Sequence, residues 1–267
     1  MNRIDKKFKR LKKEDAKAFI AYITAGYPSL RFTEKLVEGF DKCGVDVVEL
    51  GVPFSDPMAD GPTIQYSSSE ALKNGINISK ILKMVRRLRN KGIKVPLVLM
   101  TYYNPVHRYG VKRFTVDSNE SGADGAIVPD LPFEEARDLS ASAAQAGFDI
   151  IYLAAPTSTR KRLANIAKRS KGFIYYVSVT GITGARRALP KDIKSHIGAL
   201  KKITDKPICV GFGVSNKKQA ADMARIADGV IVGSAVIKKI KDSINKKDSI
   251  GSVVMFVKNL LKGVKGA

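Results

Sequence analysis

The sequence predicts a closed parallel barrel of eight strands surrounded by helices, the (β/α)8 or TIM barrel. Short apolar runs rich in β-branched residues recur along its 267 residues. These runs are residues 19–24, 46–50, 96–101, 125–129, 149–153, 173–177, 207–210 and 228–232. Segments with the apolar spacing of amphipathic helices separate them. Near-continuous apolar strands that alternate with helices indicate a helix-covered parallel sheet, and eight such units fill a closed barrel of roughly 250 residues.

A single domain over residues 1–267 is the economical interpretation, because no linker or low-complexity stretch divides the chain. The alternative is an open doubly wound sheet. That fold usually places a Gly-rich phosphate turn directly after the first strand. Here the first strand is followed by Thr24-Ala25-Gly26-Tyr27-Pro28, which lacks such a turn, so the sequence favours the barrel.

The N-terminal segment, residues 1–15, is predicted to form a short basic amphipathic helix that caps the barrel. Ile4, Phe8 and Leu11 follow the i, i+4, i+7 spacing of one helical face, and basic residues occupy the other positions. The apolar face is only three residues wide, which favours a capping helix over a membrane-surface or targeting helix. No apolar stretch with a cleavage site follows, so a signal peptide is not expected.

The chain is strongly basic, with 47 Lys and Arg against 25 Asp and Glu, a formal charge of +22. Such a balance is a first indication of nucleic-acid binding. The basic residues, however, are spread over several predicted helices without interleaved aromatic residues, a distribution typical of a solvated surface. No run approaches the roughly 20 apolar residues of a membrane span. Cys43 and Cys209 are isolated, as expected of a protein in a reducing, cytoplasmic compartment.

The second predicted strand carries the first candidate catalytic residue. Side chains alternate along a strand, so Val48 and Leu50 share one face, while Val47 and Glu49 share the other. If the first pair faces the helices, Glu49 points into the barrel near the carboxyl ends of the strands, where barrel active sites lie. A carboxylate there is costly unless it is paired or used. Taken alone, a core carboxylate paired with a basic residue and a proton-transfer group remain equally open.

The segment after this strand, residues 53–62, is rich in Pro and Gly and is predicted to curl over the barrel mouth as an active-site loop. The same interpretation extends the non-helical region as far as Gln65. The loop brings a second carboxylate, Asp60 or Asp56, to the opening. Two carboxylates in different environments are a typical arrangement for coupled acid and base steps.

Glycines follow the last three strands and predict a phosphate site. They occur in Gly181–Gly184, Gly211–Gly213 and Gly233-Ser234, where a helix is expected to begin. Close glycines expose backbone N–H groups, a helix N-terminus favours an anion, and barrels commonly bind phosphate after strands seven and eight. Residues 180–190 are predicted to form a mobile lid over that anion.

Aromatic residues lie on or just after several strands and predict an apolar slot beside the phosphate. Tyr22, Tyr102 and Tyr175, together with Phe212, are the candidates. His107 and His196 lie away from the strand ends and have no neighbour at metal-ligand spacing, so no metal site is assigned.

The run from Glu49 to Gln65, ELGVPFSDPMADGPTIQ, resembles the signature of tryptophan synthase alpha subunits. The resemblance extends along essentially the whole chain and includes the segment 180–186 and the turns 211–213 and 233–235. Tyr22 stands where many members have Phe. The resemblance implies a (β/α)8 lyase of tryptophan biosynthesis that cleaves indole-3-glycerol phosphate by a retro-aldol step into indole and glyceraldehyde 3-phosphate.

The resemblance also implies roles for individual residues. Glu49 is the general acid and base, and Asp60 holds the indole N–H. The substrate-binding positions are Tyr22, Met100, Tyr102, Ile127, Leu153, Tyr175, Thr183, Gly184, Phe212, Gly213, Gly233 and Ser234. The implied partner is a pyridoxal-phosphate beta subunit in an αββα complex, while the alpha chain itself needs no cofactor. The implied contacts with this partner are Asp56, Pro57, Asn104, Pro105 and Pro132.

Two other functions remain in competition. One is another phosphosugar barrel, such as an isomerase or indole-glycerol-phosphate synthase, which shares the product-side phosphate site. The 49–65 signature and the lack of an evident catalytic lysine at those strand ends argue against it. The other is a basic nucleic-acid-binding protein, which salt-dependent retention on DNA would reveal.

Overall fold

A computed structural model describes residues 2–177, 193–211 and 213–267. The strands within these ranges are β1 (Ala18–Thr24), β2 (Val47–Gly51), β3 (Leu97–Met100), β4 (Gly125–Ile127), β5 (Asp149–Ile151), β6 (Leu153–Ala154), β7 (Ile174–Val177), β8 (Ile208–Gly211) and β9 (Gly229–Val232). They form one parallel sheet in the order β5-β4-β3-β2-β1-β9-β8-β7-β6. This order confirms the predicted barrel.

The barrel closes where the two ends of that order meet. β5 pairs with β4 and β6 pairs with β7, yet β5 and β6 are consecutive segments separated only by Tyr152. The prediction of one continuous strand over 149–153 was therefore wrong in this detail. At the break, the Tyr152 N–H donates to the Ser170 hydroxyl (3.0 Å), which replaces a strand-to-strand hydrogen bond with a side-chain one.

The described helices cover the outside of the sheet or close one end of it. They are α1 (Arg3–Lys13), α2 (Leu30–Cys43), α3 (Pro62–Lys73), α4 (Ile78–Asn90), α5 (Tyr103–Tyr109), α6 (Val111–Ser121), α7 (Arg137–Ala146), α8 (Arg160–Arg169), α9 (Ile193–Lys201), α10 (Lys217–Ala224), α11 (Ser234–Lys241) and α12 (Ser249–Lys265). Sequence signals set their ends. In α2, for example, the Ser29 side chain caps the first turn and Gly44 ends the helix in the left-handed conformation.

The buried side chains form two clusters, one inside the barrel and one between the barrel and its helices. The inner cluster contains Val47 together with Ile20, Val98 and Ile231, whereas Val48 and Leu50 belong to the outer cluster. This division confirms the predicted alternation along β2. Glu49, two residues after Val47, therefore faces the barrel interior.

Helix α1 closes the amino-terminal end of the barrel, as predicted. Ile4, Phe8 and Leu11 are buried in the inner cluster. Arg3 pairs with Asp124 (3.0 Å), an aspartate that directly precedes β4 and therefore marks this end of the barrel. The opposite end of the barrel, at the carboxyl ends of the strands, carries the candidate active site.

Candidate active site

Glu49 lies in the middle of β2, opposite Tyr22 of β1 and Val98 of β3. Its side chain is fully buried, and neither carboxylate oxygen has a hydrogen-bond partner among the described residues. Burial raises the pKa of Glu49 from 4.5 to about 8, because desolvation disfavours the charged form. The core ion pair considered from the sequence is thus not found in the described part of the chain. A carboxyl group with this pKa can donate or accept a proton near neutral pH.

Asp60 occupies the loop between β2 and α3, at the mouth. Its side chain is partly buried and accepts a hydrogen bond from the Tyr102 hydroxyl (3.0 Å). Burial raises its pKa to about 6, and the Tyr102 bond partly opposes that shift. Asp56, the alternative from the sequence, is exposed, and the hydrogen bond described for its carboxylate comes from the hydroxyl of the adjacent Ser55. The structure therefore favours Asp60 as the second carboxylate.

The loop is shorter than the sequence suggested. Helix α3 begins at Pro62, so Pro62–Gln65 are helical rather than part of an extended loop. Proline suits the first helical position, since its fixed φ fits a helix and its missing N–H is not needed there. The Gln65 side-chain amide donates back to the Asp60 carbonyl (2.8 Å). The start of α3 thus helps to hold the backbone of Asp60 in place.

Tyr22 and Tyr175 form two walls around the buried carboxyl group. Their pKa values are raised well above the usual range, mainly by burial and further by the negative charges of Asp60 and Glu49. A Cβ added at Gly51 would lie 2.1 Å from the Tyr22 hydroxyl. A Cβ added at Gly211 would lie 2.8 Å from the Tyr175 hydroxyl. Both glycines are needed for these side chains to fit, a requirement that the sequence signals only as a glycine at the end of a strand.

The predicted apolar wall is formed at the ends of neighbouring strands. Met100 of β3 is in register with Gly51 on one side and with Ile127 on the other. Leu153 is in register with Tyr175. Ile127 belongs to the inner cluster, and Met100, Leu153 and Tyr175 pack against it. The structure therefore brings these predicted contacts together around the barrel axis.

Two of the predicted phosphate-binding turns lie at the ends of β8 and β9. Gly213 has a φ of +58°, a conformation that favours glycine. Gly233 is the N-cap of α11, which begins at Ser234 as predicted. A helix N-terminus presents N–H groups and a partial positive charge, which suits a phosphate. Thr183, Gly184, Phe212 and the predicted lid 180–190 lie outside the described residues.

The predicted partner residues lie in three segments: Asp56 and Pro57 in the loop between β2 and α3, Asn104 and Pro105 in the first turn of α5, and Pro132 in the loop between β4 and α7. Asp56 and Asn104 are exposed, and Pro57, Pro105 and Pro132 are partly buried. A groove of about 640 Å³ runs along the loop that carries Asp56. Met58 borders it with 82% of its surface exposed. Sequence reasoning missed Met58, although a large apolar residue between two aspartates was visible.

Within the described residues, no group of three or more His, Cys, Asp or Glu side chains lies together in a way that could hold a metal ion. No described helix is both long and apolar enough to cross a membrane. His196 bonds the Tyr176 hydroxyl through Nδ1 (3.2 Å), away from the site.

The fold and the site define a (β/α)8-barrel protein that carries two carboxyl groups with different pKa values, Glu49 inside the barrel and Asp60 at its mouth. The family described as tryptophan synthase alpha chain matches residues 8–264. The tryptophan synthase alpha chain of Citrifermentans bemidjiense is 49% identical over 89% of each chain. That of Geotalea uraniireducens is 45% identical over 100% of both chains. The crystal structure of the alpha subunit from Legionella pneumophila is 38% identical, with a TM-score of 0.93 over the whole of both chains.

The chain belongs to the tryptophan synthase alpha chain family. It is accordingly a lyase of tryptophan biosynthesis that cleaves indole-3-glycerol phosphate, and its implied partner is a tryptophan synthase beta subunit.

Proposed function

We propose that Glu49 performs both proton transfers of the cleavage. As an acid it gives its proton to the indole ring carbon that carries the glycerol chain, which turns the ring into a cationic indolenine. As a base it then takes the proton of the glycerol hydroxyl beside the breaking bond. The carbon–carbon electron pair returns to the ring, the hydroxyl carbon becomes an aldehyde, and indole and glyceraldehyde 3-phosphate leave. The supporting observation is a buried carboxyl group with a pKa of about 8, which exchanges protons readily near neutral pH.

In this proposal Asp60 acts at the indole nitrogen, away from the ring carbon that Glu49 protonates. An ionised Asp60 accepts a hydrogen bond from the indole N–H and stabilises the positive charge of the indolenine. Its pKa of about 6 leaves it mostly ionised at pH 7, while Glu49 is mostly protonated. The two carboxylates therefore hold the complementary states that the reaction requires.

The remaining site residues hold the substrate. The indole ring lies between Tyr22, Tyr175 and the apolar side chains of Met100, Ile127 and Leu153. The phosphate binds to backbone N–H groups at Gly213, Gly233 and Ser234, aided by the N-terminus of α11. Contacts from Thr183, Gly184 and Phe212, and closure of residues 180–190, stay predictions from the sequence.

The finer features of the assembly are also proposals. The partner is the pyridoxal-phosphate beta subunit in an αββα complex, and it binds around Asp56, Pro57, Asn104, Pro105 and Pro132. The alpha chain forms one domain over 1–267 and carries no cofactor of its own. We place the protein in the cytoplasm, consistent with two free cysteines, Cys43 and Cys209.

The basic surface is a solvated exterior in this proposal rather than a nucleic-acid site. Several of its cations already contact acidic side chains. Arg87 pairs with Glu34, and Lys201 pairs with Asp228 (3.0 Å). Retention on DNA with a shallow salt dependence would agree with this interpretation.

The experiment mixes the purified chain with indole-3-glycerol phosphate, with and without a beta subunit, and quantifies both products. The chain contains no Trp, so released indole is followed without background emission from it. We expect Glu49→Gln to lower kcat by about 10²–10⁴-fold and Asp60→Asn by about 10²–10³-fold. Glu120→Gln, an exposed glutamate on α6, is the matched control and should leave kcat unchanged. Absence of turnover with a bound, competent partner would refute the proposed function.

A further inference from the structure

We propose that Tyr102 is a positioning residue, whose hydroxyl holds both the backbone and the carboxylate of the Asp60 loop in the reactive arrangement. This inference rests on the proposed role of Asp60. It assigns to Tyr102 a task beyond lining the substrate pocket.

The hydroxyl of Tyr102 makes two hydrogen bonds to adjacent residues of the loop. It accepts from the Ala59 N–H (3.0 Å) and donates to Asp60 Oδ2 (3.0 Å). A tyrosine hydroxyl has one hydrogen to donate and oxygen lone pairs to accept, so both bonds form at once. One atom therefore fixes where the loop backbone lies and which way the carboxylate of Asp60 points.

Packing and a neighbouring hydrogen bond support the position of this hydroxyl. Tyr102 is buried, and its ring packs against Phe54 at the start of the same loop, with 5.4 Å between the ring centroids. The next residue is fixed as well, because both carboxylate oxygens of Asp130 accept from the Tyr103 N–H (2.9 and 3.1 Å). The start of α5 is therefore bonded to the loop that follows β4, and this bond helps to fix the adjacent Tyr102, whose hydroxyl contacts the Asp60 loop.

The loop has few other attachments near its tip, one of them the bond from the Gln65 amide to the Asp60 carbonyl (2.8 Å). Ala59 is exposed, and so are Ser55, Asp56 and Met58. The Asp60 N–H bonds only the nearby Pro57 carbonyl (3.0 Å), which shapes the turn but does not tie it to the barrel. Among the described contacts, the Tyr102 hydroxyl thus makes the hydrogen bonds that join Ala59 and the Asp60 carboxylate to the barrel.

The same bond affects the charge of Asp60. A hydrogen bond donated to a carboxylate favours its ionised form, so Tyr102 lowers the pKa of Asp60 against the effect of burial. Removal of the hydroxyl would loosen the loop and would also move the protonation of Asp60 to higher pH. A substitution that merely weakens packing would produce the first effect without the second.

The test is Tyr102→Phe, which keeps the ring and removes only the hydroxyl. We expect kcat for indole release to fall roughly tenfold, KM to change less than about twofold, and the acidic limb of the kcat pH profile to move up by roughly one unit. In the chain without substrate, the Ala59 amide should exchange its hydrogen roughly tenfold faster by NMR.

Tyr109→Phe is the matched control, because Tyr109 also donates to a carboxylate, Asp117 Oδ2 (2.6 Å), but away from the site. It should leave all four measurements unchanged. Asp60→Asn distinguishes the two hydrogen bonds of the Tyr102 hydroxyl. It alters only the carboxylate, so the Ala59 amide should keep its protection against hydrogen exchange.

Two outcomes would overturn the inference: an unshifted acidic limb in Tyr102→Phe, or unchanged exchange at Ala59. Failure of the unmodified chain to cleave the substrate would instead count against the proposed function. The exchange measurement on Ala59 needs no turnover and would still decide whether the hydroxyl holds the loop.

Discussion

The buried Glu49 makes a specific prediction about stability. Its pKa rises from 4.5 in the unfolded chain to about 8 in the folded one. Between these values the folded state binds more protons than the unfolded state, so the free energy of unfolding falls as pH rises through that window. Each unit of difference corresponds to about 1.4 kcal/mol, which gives about 3 kcal/mol at pH 7 and about 5 kcal/mol at pH 9.

Glu49→Gln removes this cost because glutamine has the same shape and does not ionise. We expect the variant to match the parent protein near pH 4.5, and to exceed its free energy of unfolding by about 3 kcal/mol at pH 7 and about 5 kcal/mol at pH 9. Urea titrations at these pH values, followed by circular dichroism, measure the difference. Glu120→Gln, at an exposed position, should show no such trend. A gap between the variant and its parent that is the same at every pH would refute the reasoning.

Three further substitutions test the scaffold and the phosphate site. Gly51→Ala places a Cβ 2.1 Å from the Tyr22 hydroxyl and should lower the free energy of unfolding by about 1–3 kcal/mol, measured by thermal melts. The control Gly198→Ala, on α9 with open space around it, should not lower it. Phe8→Ala removes the buried ring of α1 and should lower the free energy of unfolding in urea by about 3 kcal/mol. The control Lys9→Ala, at an exposed position, should lower it little. Equal effects of the two substitutions would contradict the capping role of α1. Ser234→Asp puts a negative charge at the start of α11 and should abolish competitive inhibition by inorganic phosphate, which would persist if the phosphate bound elsewhere.

Periodicity made most of the fold predictable. The alternation along β2 correctly separates Val48 and Leu50 from the inward-facing Glu49, because side chains on a strand point to opposite faces. The break at Tyr152 was not predictable, since the apolar run is continuous and the interruption depends on a hydroxyl from Ser170, 18 positions away. Helix α3 starts at Pro62, inside the segment predicted as loop, because proline disrupts a helix interior but suits the first helical position.

The places of several candidate residues in the barrel could be predicted from the sequence, whereas their contacts could not. The position of Glu49 at the inner face of a strand followed from local pattern. The loop residues alone left Asp56 and Asp60 open; the family resemblance pointed to Asp60, and the structural contrast between them rests on the Tyr102 hydroxyl, 42 positions from Asp60 along the chain. A hydrogen bond between distant positions leaves no signature in local spacing, and neither does the fit of Tyr22 over Gly51.

The pH profile of kcat/KM for indole release tests the central claim most directly, because that claim makes protonated Glu49 the proton donor. The measurement uses the chain with its beta subunit from pH 5 to pH 10, beside Glu49→Gln. With the pKa of Glu49 at about 8, kcat/KM should fall tenfold per unit above that pH, and the variant should show almost no turnover at any pH. A rate that stays level or rises through pH 9, or a variant that retains the parent profile, would contradict the account.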